Sequence, residues 1–197
     1  MGGDLSGVDG LPVVAFASRG DWEEWLGREH ERAGGAWLKI AKKGSGIESA
    51  SYGEALDGAL CWGWIDGQRA PFDERWFLTR FTPRKPRSRW SVRNCARADE
   101  LIARGEMKPP GLAQVTAAKA DGRWDAAYPG QRDAVVPADF QQALDANRAA
   151  AEFFAALDGS NRYAFLYRLH HVTGADARAE RIARYVGMLA RREMLHD

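Results

Sequence analysis

The chain has 197 residues, of which 45% are apolar and 28% charged, with a formal net charge of +1. That size suits one domain, or one domain with a helical extension, and the composition excludes disorder of the whole chain. Near-neutrality removes any global electrostatic call for nucleic acid or membrane, so such a role would have to come from local clustering. The opening MGGDLSGVDGLP lacks a basic segment followed by an apolar one, so it reads as a flexible leader over 1–14 and not as a signal peptide. Gly2 and Ser6 fit the bare myristoylation pattern, but Asp4 and the lack of a second anchoring signal argue against it. Asp21 followed by Glu24 has capping-box spacing and opens a helix that the Gly34-Gly35 pair stops. Segment 36–43, AWLKIAKK, alternates as a half-buried strand, and Gly44-Ser45-Gly46 turns the chain. Ser51 and Glu54 form a second capping box, opening a helix over 52–61. Segments 62–70 and 75–82 read as two strands joined by a hairpin around Pro71, Asp73 and Glu74. Pro83 and Pro86 then impose an extended, irregular stretch.

Ser91 caps a helix running to about Arg104, where Gly105 ends it. Pro109-Pro110-Gly111 breaks the pattern before a short helix over 112–120. Segment 128–137 reads as a linker, and the rest reads as helices over 138–144, 149–157, 161–171 and 175–192. The last carries Ile182, Tyr185, Val186 and Leu189 as an amphipathic stripe. The expected fold class is α+β: a small antiparallel sheet with packed helices over 15–128, then a helical C-terminal module over 137–197. Two cysteines, Cys61 and Cys95, make no disulfide framework, and no apolar run reaches membrane-spanning length. A reducing compartment, the cytoplasm, is the expected location.

The sharpest chemical signal is charge segregation. Between Arg75 and Arg97 stand eight basic residues, Arg75, Arg80, Arg84, Lys85, Arg87, Arg89, Arg93 and Arg97, and no Asp or Glu. Trp76, Phe77, Phe81 and Trp90 interleave with them. The planar guanidinium fork binds carboxylate or phosphate and stacks on aromatic faces, so the stripe suits an anion site. A solvated charged face explains it equally well. In the run Trp62-Gly63-Trp64-Ile65-Asp66-Gly67, alternation sets Trp62, Trp64 and Asp66 on one face, either as a pocket floor or as core. In the core reading Asp66 pairs with Arg69 or Arg80. Ser88, Trp90, Ser91 and Asn94 follow the rigid prolines, and Ser91 at a helix start can cap the helix and still leave anion-attracting N–H groups. Cys61 closes a helix, where no thiol activation is expected, and reads as a small buried hydrophobe. His30, His170, His171 and His196 show no metal-ligand spacing, and the glycines after Lys43 lack P-loop order. No cofactor and no metal is expected.

The chain resembles the YdeI/OmpD-associated (bacteriocin-protection) family. Trp37-Leu38…Ala41-Lys42-Lys43, Ser51-Tyr52-Gly53-Glu54-Ala55-Leu56 and Ala59-Leu60-Cys61-Trp62-Gly63-Trp64-Ile65-Asp66-Gly67 carry the likeness, followed by Phe81-Thr82-Pro83-Arg84, Ser88-Arg89-Trp90-Ser91…Asn94 and Gly105-Glu106-Met107. Phe153-Phe154, Asn161-Arg162-Tyr163 and Arg178…Arg181-Ile182…Met188-Leu189 extend it toward the end. The resemblance implies a YjbR/CyaY-like N-terminal part, a helical C-terminal part, and a role in protection against toxic peptides or envelope stress. It supplies no catalytic residue, and His171-Val172-Thr173-Gly174 departs from the basic segment of relatives.

The leading functional reading is a non-catalytic binding or protection protein. Its site would comprise Trp64, Asp66, Arg69, Arg80, Arg84, Ser88, Trp90, Ser91 and Asn94, and would hold an anionic or aromatic small molecule or peptide. One alternative is nucleic-acid binding through the 75–97 stripe, with affinity falling steeply as salt rises. The other is an enzyme with Asp66 as general base beside an arginine anion site.

Overall fold

The computed structural model describes residues 8–195. The expectations for Gly2, Ser6, the first half of the leader and His196 lie outside them. The fold is α+β, and the described residues form a four-stranded sheet in the order β1-β2-β4-β3 and eight α-helices. Contacts divide the chain into two compact units. The first holds the described residues up to Trp90 together with Asn94–Ala127, and the second holds Ser91–Arg93 and the described residues from Tyr128 onward.

In the first unit, β1 (Val13–Ala15) leads through α1 (Arg19–Glu29) to β2 (Ala36–Ala41), which it pairs in parallel, Val13 opposite Trp37. The sheet is therefore mixed, not purely antiparallel. A three-residue strand is too short to show periodicity, and the crossover helix supplies the connection that a parallel pair needs. The cap of α1 also differs from expectation. Ser18 is the N-cap, with its Oγ accepting from the Asp21 N–H at 3.2 Å and the Asp21 carboxylate accepting from the Ser18 N–H at 3.1 Å. Asp21 is thus the third residue of a box opened by a serine, the more usual opener. Trp22 and Leu26 are the residues of α1 that become buried.

Helix α2 (Tyr52–Cys61) carries the predicted Ser51/Glu54 box. Strands β3 (Trp64–Pro71) and β4 (Trp76–Pro83) form the predicted antiparallel hairpin, its loop held by the Asp73 carboxylate accepting from the N–H groups of Arg75 and Trp76, each at 2.8 Å. Trp62 is not part of β3. It is the C-cap of α2, and Gly63, at φ 74°, turns the chain into the strand. A Cβ on Gly63 would lie 3.0 Å from the Pro110 carbonyl oxygen. Glycine is needed there on both counts.

Two more helices complete the unit, α3 (Val92–Ala103), whose first two residues fall in the second unit, and α4 (Pro109–Ala120). Pro109 and Pro110 do not break the pattern. They form the first turn of α4, where a missing N–H costs nothing. The core unites Trp22, Leu26, Leu38, Ile40, Leu56 and Phe81, among others, between the helices and one face of the sheet.

The second unit is all helix: α5 (Ala138–Asp145), α6 (Arg148–Ala156), α7 (Gly159–His170) and α8 (Ala175–Ala190). Phe140, Phe154, Phe165 and Tyr185 form a chain of edge-to-face rings through its core. Arg178 of α8 and Asp139 of α5 clamp the two helices through paired hydrogen bonds. No helix among the described residues is long and apolar enough to cross a membrane.

Gly111 is the tightest point of the first unit. A Cβ on it would sit 2.3 Å from the Cys61 carbonyl oxygen and 2.6 Å from that of Leu60. Backbone cannot swing aside, so Gly111→Ala is expected to cost about 3 kcal/mol, against about 1 kcal/mol for Gly122→Ala, which meets only backbone strain. Urea denaturation followed by tryptophan fluorescence checks the ranking.

Candidate functional site

Alternation along β4 sorts the candidate residues onto two faces. Phe81 belongs to the core, and Asp66 lies directly opposite it across the β3–β4 ladder. Arg80, one residue away, therefore faces the other side of the sheet, together with Thr82. The two halves of the expected pocket are separated by the sheet itself.

On the helix-covered face, Trp64 is fully buried. Its indole N–H donates to the His30 carbonyl at 3.2 Å, and its ring meets those of Trp22 and Trp25 edge-on. It is core, and it floors no pocket. Trp62 packs against the His30 ring. Asp66 accepts a hydrogen bond from the Tyr52 hydroxyl at 2.6 Å. Arg69 follows a bulge in β3, opposite Thr79, and lays its guanidinium over the rings of Tyr52 (4.3 Å) and Phe77 (5.0 Å). Asp66 thus pairs with Tyr52, and not with Arg69 or Arg80 as the core reading had it. Tyr52 is the partner that sequence reasoning missed. Its place in the first turn of α2 was legible, but its reach to β3 depends on how α2 crosses the sheet.

On the opposite face lies an open cleft of about 530 Å³. Arg80, Arg84 and Lys85 line it together with Gly34, Gly67, Gln68, Thr82, Pro83 and Pro86. No carboxylate is among these residues. The Nε of Arg80 is buried without a hydrogen-bond partner among the described residues. Arg84 is only 5% exposed. Its guanidinium lies 3.5 Å from the centre of the Trp90 ring and donates to the Arg89 carbonyl at 3.2 Å. Its backbone N–H donates to the Gly63 carbonyl, which fixes where the chain leaves β4. Trp90 is itself buried and packs against Trp124 at 4.9 Å. It holds Arg84 from behind and does not line the cleft. Ser88 closes the turn after the strand, its Oγ accepting from the Lys85 N–H at 2.8 Å.

The remaining members of the stripe go elsewhere. Arg97 pairs with Asp57 and donates to the Gly53 carbonyl, tying α3 to α2. Arg75 donates to the Ser45 carbonyl. Arg87, Arg89 and Arg93 are exposed. Ser91 precedes α3 and bridges Tyr128 in the second unit, while Asn94 is buried in the first turn of the helix. Neither lines the cleft. Sequence reasoning reads Gly34 only as a helix stop and Gly67 only as the end of the Trp62–Gly67 run, and passes over Gln68, because nothing local marks these residues as the wall of a groove.

Both thiols are buried, and that burial pushes each up to about 11. A thiol held in its neutral form is a poor nucleophile. No group of three His, Cys, Asp or Glu is placed to hold a metal among the described residues.

Residues 14–114, just over half of the chain, match the model of a domain of unknown function (DUF8412), and the chain belongs to that family. Residues 133–192 match the model of the family described as Bacteriocin-protection, YdeI or OmpD-Associated. The YdeI/OmpD likeness is thus supported in the C-terminal part alone. The N-terminal part belongs to a different family from the YjbR/CyaY-like one expected, since a sheet with packed helices is common to many families and does not separate them. No curated protein and no solved structure matches the chain.

The stack of Arg84 on Trp90 needs a flat cation. Arg84→Lys is expected to lower stability by about 1–2 kcal/mol, since an ammonium cannot both cover the ring and reach the Arg89 carbonyl. Chemical denaturation of the two proteins measures the difference.

Proposed function

We propose that this protein is a non-catalytic binding protein that takes a small polyanion without an aromatic part into the cleft of Arg80, Arg84 and Lys85. One observation carries the reading: three cationic side chains surround an opening of about 530 Å³ whose described lining includes no carboxylate. That volume is in the range of small-molecule sites. The rings first considered for the pocket, Trp64 and Trp90, are buried elsewhere, so stacking of an aromatic ligand has no support. A ligand with two or more carboxylate or phosphate groups suits the three cations. The match of residues 133–192 to a bacteriocin-protection family supports a protective role, exercised by binding.

The enzyme reading is weaker. Asp66 is engaged by Tyr52 and lies across the sheet from the arginines, so it cannot serve a substrate held by them. The nucleic-acid reading also weakens, because Arg97 is consumed by its pair with Asp57 and Arg75 donates to the Ser45 carbonyl, which interrupts the basic track.

Calorimetry and thermal shift with citrate, pyrophosphate and inorganic phosphate test the proposal. Citrate or pyrophosphate is expected to raise the melting temperature. Arg80→Gln and Lys85→Gln are each expected to weaken binding about tenfold, the loss of one charge-assisted contact. A melting temperature that no polyanion moves, or a shift that survives in the double variant, would sink it.

A further inference from the structure

The second unit carries a larger opening that the proposed function does not use. A groove of about 740 Å³ runs along α8, between it and the end of α5. Ala143, Ala179, Ile182, Ala183, Val186 and Gly187 line most of it. The polar groups at one end are already satisfied within the unit. Asp139 and Arg178 bond each other, Arg178 also donates to the Leu169 carbonyl, and the Asn147 side chain caps α6. An amphiphile would therefore find no waiting partner for its head group. Small side chains on α8 instead let another helix approach closely, backbone near backbone.

The charges beside the groove indicate which helix. Asp176, Glu180 and Arg184 follow one another at four-residue spacing along α8, and Arg191, seven residues beyond Arg184, falls on the same face just past the end of the helix. All four are exposed. The row is acidic in its first half and basic in its second. Asp176, Glu180 and Arg184 make no ion pair among the described residues, and Arg191 pairs only with its near neighbour Glu193. A row of this kind is its own complement when reversed. A second copy of α8 laid antiparallel about a two-fold axis near Ala183 brings Asp176 and Glu180 of each chain beside Arg191 and Arg184 of the other. Such an isologous contact closes on itself as a dimer. The antiparallel arrangement also sets opposite ends of the two helix dipoles together.

We infer that the groove along α8 is a self-association surface, occupied by α8 of a second copy of this chain. Sedimentation velocity of the full chain at tens of micromolar tests it, with circular dichroism confirming helix content. The wild type is expected to sediment as a dimer. Glu180→Arg sets like charges against each other and is expected to weaken the dimer about tenfold or more. The exchange Glu180→Arg with Arg184→Glu swaps the two inner charges but keeps the row self-complementary, and is expected to restore the dimer. A monomeric wild type, a dimer indifferent to Glu180→Arg, or an exchange that fails to restore association would each overturn the inference.

Discussion

The parity of β4 decides what this protein can do with its charged residues. Phe81 must face the helices because the core closes around it, and a strand gives its neighbours no choice of side. Arg80 and Thr82 are thereby committed to the opposite face, and the cleft forms where they emerge. A shift of one residue would place an arginine in the tryptophan-lined core and expose Phe81. The register is held by pairing on both sides, since β4 lies between β2 and β3.

Tryptophan does two separate jobs around that strand. Trp22, Trp25 and Trp64 fill the core on the helix side. Trp90, backed by Trp124, supports the guanidinium of Arg84 where the chain leaves the sheet. A cation held against a ring keeps its charge while losing its freedom, so Arg84 is ordered before any ligand arrives. Arg97 shows the contrasting fate: its charge is consumed by Asp57, and its role is to hold α3 on α2.

Much of this was legible in the sequence, and the omissions have physical causes. The Ser51/Glu54 cap, the hairpin and the amphipathic final helix rest on local spacing, which sequence records directly. Strand β1 is invisible because three residues carry no period, and the start of α4 because a proline pair signals a break as readily as a first turn. Of the expected site residues, Arg80 and Arg84 line the cleft, while Trp64, Asp66 and Arg69 lie on the opposite side of the sheet from it. The acid-free stripe was visible as a string. Its dispersal among a cleft, an ion pair and open surface was not, because burial and partners come from residues far away in the chain.

The proposed site has Arg80 meeting an anion in a cleft whose described lining holds no carboxylate. Nitrogen–proton correlation spectra of the arginine Nε groups, recorded while pyrophosphate is added, test it most directly. The Arg80 resonance should move and sharpen as the ligand saturates, with the ion-paired Arg97 unchanged. An Arg80 signal that stays still, or shifts spread evenly over the exposed arginines, would contradict the account.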